Sequence, residues 1–328
     1  MIRRSRRGFL AALAGAAVPP LLPECAGAQA GYPVRPVRVV VASAPGGITD
    51  VVARLIGGKL SEQLGKQFYI ENVVGGANNI GMGQAAKAPP DGYTMLAAFS
   101  NLVINPALFE RLPFDPVRDF EPVSLAVTST TVLVVNPGFA AATVAELVAL
   151  VRANPGKYSY ASAGAGTTSH LAGEQFRLAF GLDLVHVPFT GGAPAMASVV
   201  AGHTPVGFTA PAACLELIRD GRLRPLAVTS KTRTQTMPQV ATMTELGFPD
   251  IEGDSFVGFV VPAGTPRDII ALLSREIAKS LALADMKERQ LALGNDIVAS
   301  TPEQFGERIK VELGIWRKVI RAANIEVR

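Results

Sequence analysis

Residues 37–42 read Val-Arg-Val-Val-Val-Ala, a nearly unbroken apolar run, and after Pro45-Gly46-Gly47 the rhythm changes. From Val52 onward apolar residues return at spacings of three and four, at Leu55, Ile56, Leu60 and Leu64, until Gly65. The first pattern predicts a strand buried on both faces. The second predicts an amphipathic helix closed by a glycine in the left-handed region. The same strand, turn and helix rhythm recurs from residues 69–73, 93–99, 158–162 and 184–188. Such alternation predicts an α/β fold with parallel sheets covered on both faces.

Two extended stretches stand outside the alternation: residues 123–135, with Thr128-Ser129-Thr130-Thr131 at the centre, and residues 253–262. Both read as crossovers. They divide the chain into a discontinuous first lobe, residues 31–127 plus 249–328, and an inserted second lobe, residues 128–248. The length of 328 residues, about twice a typical domain, suits two lobes. The closing segment predicts helices from Pro266, from Pro302 and through Trp316, whose indole reads as a packing group.

The first thirty residues break the pattern. A basic start with Ser5-Arg6-Arg7-Gly8-Phe9-Leu10, a short apolar stretch to Leu22 and an Ala28-Gln29-Ala30 exit have the form of a removable export signal. The paired arginines favour the twin-arginine route over the general secretory one, and either leads to the periplasm, with cleavage after Ala30. Cys25 is not read as a lipid anchor, because Glu24 stands where a small residue is needed.

Charge changes meaning once the signal is set aside. Lysine and arginine total 31 against 27 acidic residues, a net +4; removing four arginines and Glu24 leaves +4 − 4 + 1 = +1. A near-neutral surface carries no broad footprint for nucleic acid. The mature chain keeps only Cys214, which excludes an internal disulfide and a cysteine-ligated metal cluster. The histidines His170, His186 and His203 lack a metal-ligand spacing, so neither metal nor cofactor is expected.

Candidate chemistry lies in two glycine-rich turns, one per lobe: Pro45-Gly46-Gly47-Ile48-Thr49-Asp50 and Ser162-Ala163-Gly164-Ala165-Gly166-Thr167-Thr168-Ser169. Each joins a strand to a helix. There the first helical N–H groups lack internal partners and carry the positive end of the helix dipole, so an anion can be held without a basic side chain. Strand ends at Ser100, Asn101 and Thr209, and the turn at Gly191, extend the candidate cleft. Self-capping of a tight turn is the alternative use of the same residues. Asp50, with no partner visible in the sequence, reads as a loop-ordering carboxylate. The segment from Gly164 lacks the third glycine of a dinucleotide fingerprint, and Ser162 lacks the flanking glycine of a nucleophile elbow.

Those residues also carry a family resemblance. Tyr32-Pro33, Pro45-Gly46-Gly47, Thr49-Asp50, Asn79-Ile80-Gly81, Pro90-Asp91-Gly92-Tyr93-Thr94, Asn105-Pro106-Ala107-Leu108, Tyr160-Ala161-Ser162 and Pro262-Ala263-Gly264-Thr265-Pro266 resemble the Bug-type receptors of tripartite tricarboxylate transporters. The resemblance covers nearly the whole mature chain. It implies a type II periplasmic-binding-protein fold, two α/β lobes joined by two crossover strands and closing on a small organic carboxylate. It also implies a monomeric receptor that passes its ligand transiently to inner-membrane permease subunits. The chain departs from the common pattern at Phe208-Thr209-Ala210 and at Thr190, where related receptors often carry acidic, amide or basic groups. That departure leads us to expect carboxylates without an amino group. Two rival expectations are a sensor input for a receptor kinase and a secreted hydrolase or isomerase using Asp50 as base.

Overall fold

Apolar β-branched runs form the strands and the three-and-four spacing forms the helices, so the rhythm of the sequence becomes the layering of the structure. The computed structural model describes residues 31–325; the segment read as an export signal lies outside the described residues. The chain begins with β1 (Val37–Val41), α1 (Ile48–Leu64), β2 (Phe68–Asn72), α2 (Asn79–Ala86), β3 (Thr94–Phe99), α3 (Asn101–Leu108) and β4 (Phe120–Ser129). It continues through β5 (Val132–Val135), α4 (Val144–Arg152), β6 (Ser159–Ser162), α5 (Thr168–Phe180) and β7 (Val185–Pro188). Next come α6 (Gly192–Val200), β8 (Val206–Thr209), α7 (Leu215–Arg219) and β9 (Arg224–Val228). The closing part is β10 (Ser255–Pro262), α8 (Arg267–Ala282), α9 (Ala284–Ala292), β11 (Asp296–Ile297) and α10 (Pro302–Ala322).

Two sheets result. The first runs β11-β4-β10-β3-β1-β2 and the second β7-β6-β8-β5-β9. In each, three parallel strands form one side and an antiparallel strand follows them, and in the first sheet β11 adds an antiparallel pairing with β4 at the edge. β10 lies antiparallel between β3 and β4, and β5 lies antiparallel between β8 and β9. The fold is therefore the two-lobe α/β type. Two strands cross between the lobes.

Side-chain alternation explains why both faces of the second sheet are covered. On β5, Leu133 and Val135 join the core with Tyr160, Phe176 and Phe208, while Val132 and Val134 join the opposite core with Met196 and Cys214. The first lobe's core gathers Val40, Leu96, Phe256, Phe305 and Trp316. Leu171, from the start of α5 in the second lobe, is fully buried in that same cluster. Trp316 is 2% exposed, and its indole N–H donates to Glu312 at 3.2 Å, so it packs as expected. On α1, Val52, Ile56 and Leu60 form the buried stripe, and Gly65 closes the helix at φ 68 with its N–H on the Ser61 carbonyl.

The polar centre of the first crossover sits where the lobes join. Thr229 donates its N–H to the Thr131 carbonyl at 3.0 Å and accepts the Thr131 N–H on its hydroxyl at 3.1 Å. Ser230 N–H donates to the Thr130 hydroxyl at 3.0 Å, and the Thr131 hydroxyl donates to the Gly253 carbonyl at 2.8 Å. These bonds tie the two crossovers side by side. Among the described residues no helix is long and apolar enough to cross a membrane.

Candidate functional site

The first-lobe site grows from the C-terminal ends of β1 and β3. A small cavity of about 10 Å³, room for one water-sized group, is lined by Ser43, Thr49, Asn78, Phe99 and Asn101 with an apolar floor that includes Ala42 and Met82. Helix α1 opens beside it. Its cap, Gly47, supplies no side chain, and Gly46 before it holds φ at +82, a conformation that glycine adopts freely. The Ser43 hydroxyl is buried without a hydrogen-bond partner. An uncapped helix start and an unpartnered hydroxyl therefore converge on one cavity.

Asp50 is tied into this turn. Its carboxylate accepts the Gly46 N–H at 3.0 Å, the Asn72 amide at 2.9 Å and the Arg54 guanidinium at 3.0 Å. Burial acts to raise its pKa, but the hydrogen bonds from Arg54, Gly46 and Asn72 outweigh burial and hold the carboxyl below its usual range. Asn72 also donates to the Ser43 carbonyl at 2.9 Å. The partner missing from the sequence is Arg54, one helical turn away.

An asparagine relay shapes the opposite wall. Asn78 donates to Asn101 at 3.3 Å, Asn101 to Asn105 at 3.2 Å, and Asn105 to both Asn79 at 2.7 Å and the Ala77 carbonyl at 2.8 Å. These bonds hold residues 75–78 in four successive positive-φ conformations, with Ala77 at 52° and Asn78 at 76°. Backbone of this kind is strained and persists only where its surroundings over-determine it. Ser43 and Asn78 were not among the residues read as site residues. The available signal was the Gly75-Gly76 pair followed by two asparagines, a turn pattern. Gly81 lets α2 rest on β1, because a Cβ there would stand 2.8 Å from Ala42.

Ser100 has another commitment. Its hydroxyl accepts the Phe256 N–H of the returning crossover at 3.0 Å, and its carbonyl takes the N–H groups of Val103 and Ile104. Asn101 reaches the cavity; Ser100 pins β10.

In the second lobe the glycine-rich turn is bonded to itself. Thr167 caps α5 by accepting the His170 N–H at 3.4 Å and donates to the Gly164 carbonyl at 2.7 Å. Ser169 accepts the Ala163 N–H at 3.1 Å, and Ser162 accepts that of Gly164 at 3.2 Å. Gly166 donates its N–H to His170 Nδ1 at 3.0 Å, which leaves the ring proton on Nε2. Gly164 and Gly166 hold φ at 134 and 73. Thr168, first residue of α5, lies between these groups.

A histidine stack lies under this turn. The rings of His170 and His186 are 3.9 Å apart at 14°, and His186 stacks in turn on Tyr160 at 4.9 Å. Ser162 Oγ contacts His186 Nε2 at 2.7 Å. Burial depresses both histidine pKa values, and His170 adds to the effect on His186, which falls to about 4. Ser162 is fully buried with its oxygen already shared, so the pair orders the turn. The Tyr160 hydroxyl donates a hydrogen bond to Glu174 at 2.7 Å, and Arg177 binds the other oxygen of that carboxylate at 2.8 Å.

Helix α6 begins beside this turn. Phe189 donates its N–H to the Ser162 carbonyl at 3.1 Å, which brings the Gly191 turn against the Gly164 turn. Gly191 caps α6 with φ 137 and no side-chain bond. Thr209, at the end of β8, faces it. The predicted residues thus assemble as one group in each lobe, at the strand ends where open α/β sheets bind ligands. Among the described residues no group of metal-ligating side chains occurs, and Cys214 is buried with its pKa pushed up to about 12.

Comparison with known proteins agrees with this architecture. The profile of the tripartite tricarboxylate transporter family receptor matches residues 52–325. The chain belongs to this receptor family. BugT of Bordetella pertussis is 33% identical to it, over 90% of this chain and 92% of its own. Among solved structures, Rpa4515 of R. palustris, determined with adipate, is 30% identical with a TM-score of 0.76, covering 90% of this chain and 99% of its own. MatC of Rhodopseudomonas palustris, with bound malate, is 28% identical with a TM-score of 0.73, covering 88% and 100%. The receptor is thus a solute-binding protein of the periplasmic type. Its fold is the two-lobe form expected from the sequence.

Proposed function

We propose that the receptor captures a small organic carboxylate in the periplasm and delivers it, as a monomer, to the membrane permease subunits of a tripartite transporter. The observation that carries the reading is the α1 start: an uncapped helix N-terminus, a buried unpartnered Ser43 hydroxyl and a water-sized cavity meet at one point. Such a place favours an anion over a cation. Solved relatives that carry adipate and malate support a small carboxylate as the ligand.

In this reading the ligand contacts are Gly47, Thr49, Ser43 and Asn101 in the first lobe, and Thr168, Gly191 and Thr209 in the second, while Gly46, Gly164 and Gly166, whose N–H groups are already bonded, shape the turns. Asp50, Ser162, Thr167 and Ser169 order the turns, and Ser100 pins a crossover. The lobes, 31–127 with 249–328 and 128–248, rotate about the paired crossovers, and a ligand bridging both selects the closed form. The twin-arginine signal is removed after Ala30. Intact mass of the exported protein then begins at Gly31, and a mature form starting at a lipidated Cys25 contradicts this step.

The test is a melting-temperature screen of the mature protein against small carboxylates. A ligand at a hundred times its Kd adds about 2.7 kcal/mol to the native state, a rise of about 5 °C or more. A panel of mono-, di- and tricarboxylates that leaves the Tm unmoved defeats the reading.

A further inference from the structure

We propose that the start of α6 and the Thr209 hydroxyl beneath it form the anion seat of the second lobe, receiving a carboxylate oxygen of the ligand. This rests on the carboxylate-receptor reading and adds where the second lobe takes hold.

Three observations meet there. Thr209 is 1% exposed, and its Oγ1 has no hydrogen-bond partner, a rare state for a buried hydroxyl. Helix α6 is nine residues long and opens at Gly191 without any side-chain cap. The two features touch, since a Cβ built on Gly192 would stand 3.3 Å from Thr209 Oγ1 and 2.9 Å from the Ala213 methyl. Any side chain at residue 192 would fill the seat. The glycine keeps it open.

The chemistry of the seat follows from its donors. Gly192 and Ala193 present the first N–H groups of α6, whereas Pro194 has none, and Thr209 adds a hydroxyl. The set is neutral and donor-rich at the positive end of a helix dipole, which matches a carboxylate oxygen and repels an ammonium. The neighbouring α5 start differs because Thr167 already caps it. The second lobe's grip therefore falls on α6.

The measurement is calorimetry of the mature protein with adipate, succinate and malate as probes, on wild type, Thr209→Val, Thr209→Ser and Gly192→Ala, with ligand-free Tm recorded for each. Thr209→Val should weaken binding about tenfold to hundredfold, as expected for a lost hydrogen bond to a charged group, while Thr209→Ser stays within about threefold. Gly192→Ala should weaken binding too. Ligand-free Thr209→Val should melt about 2 °C higher, because a methyl replaces an orphaned hydroxyl. A Thr209→Val protein that binds like wild type overturns the seat alone. So does one that melts lower, since the hydroxyl is then structural. A wild type that binds none of the probes overturns the seat and the carboxylate reading together.

Discussion

The two glycine-rich turns look alike in sequence and differ in how their hydrogen bonds are spent. In the first lobe, α1 opens at Gly47 without a side-chain cap, beside a cavity and the unpartnered Ser43 hydroxyl. In the second, Thr167, Ser169, Ser162 and His170 take up the N–H groups of His170, Ala163, Gly164 and Gly166. Hydroxyl-rich sequence after a glycine thus has two outcomes. It caps its own helix, or it leaves donors open to a ligand. Extra threonines and serines are a mark of the closed outcome, because each brings an acceptor to the turn.

The sharpest test of the open turn is charge. Asp50 is a carboxylate at the α1 start that could pair a ligand ammonium, and it is already held by Arg54, Asn72 and Gly46. Thr209 offers only a neutral oxygen on the other side. An enclosed, unpaired ammonium costs several kcal/mol, so succinate should bind on the order of a hundredfold tighter than aspartate. Equal or tighter binding of aspartate in matched titrations would mean that Asp50 gives up Arg54 to the ligand.

Next in size is the integrity of the open turn itself. Asp50→Ala strips partners from a backbone N–H, an amide and a guanidinium, at a cost of about 2–3 kcal/mol. A Tm lower by about 5–10 °C is expected, with weaker ligand binding because Gly46 loses its anchor. A thermal scan showing no change would place the ordering of this turn elsewhere.

What could be read from the sequence follows from the range of the interactions. Strands such as β1 and helices such as α1 are set by neighbours a few residues apart, and Thr128 to Thr131 stood out because a polar knot interrupts an apolar run. The glycine turns were equally visible. How each turn is held was only partly so, because local partners such as Arg54 for Asp50 and Ser169 for Ala163 act together with distant ones: Asn72 for Asp50, His186 for Ser162, Phe256 for Ser100. The stack of His170 on His186 joins residues on two different elements, and no local spacing announces it. The seat at Thr209 was legible as a departure from the family's pattern, but its pairing with Gly192 needed the fold.

A proline substitution in each turn separates open from closed donors. Gly47 has φ −71, within the range proline imposes, so Gly47→Pro removes one N–H from the α1 start with little strain. Thr168→Pro does the same at the first position of α5, where proline is also well tolerated. Both should leave circular dichroism intact. Gly47→Pro should reduce affinity about tenfold or more and Thr168→Pro by less. Affinity falling further in Thr168→Pro would show that the self-capped turn still supplies the dominant donors.

Taken per pH unit, the smallest expected effect is the acid response of the closed turn. His186, depressed to about 4 by burial and by His170, is neutral when folded but takes a proton near 6.5 when unfolded. Between those values the unfolded state binds more protons, so this contribution is complete above pH 6.5 and is lost as pH falls toward 4, at no more than about 1.4 kcal/mol per pH unit. His170, also depressed, acts in the same direction, with Glu174 opposing and Arg177 reinforcing it. Asp50, held below its usual range, adds its own loss only beneath about pH 3.8. Asp254 works the other way across part of the same window. Burial pushes it up to about 7, so its effect on stability worsens as pH rises from 3.8. The raw melting curve is therefore a sum, and the informative quantity is the difference between wild type and His186→Phe, which keeps a ring against Tyr160 but cannot titrate. That difference should move in favour of wild type from pH 4 to 6.5 and level off above. A flat difference would mean that the stacked pair holds the turn without regard to its protons.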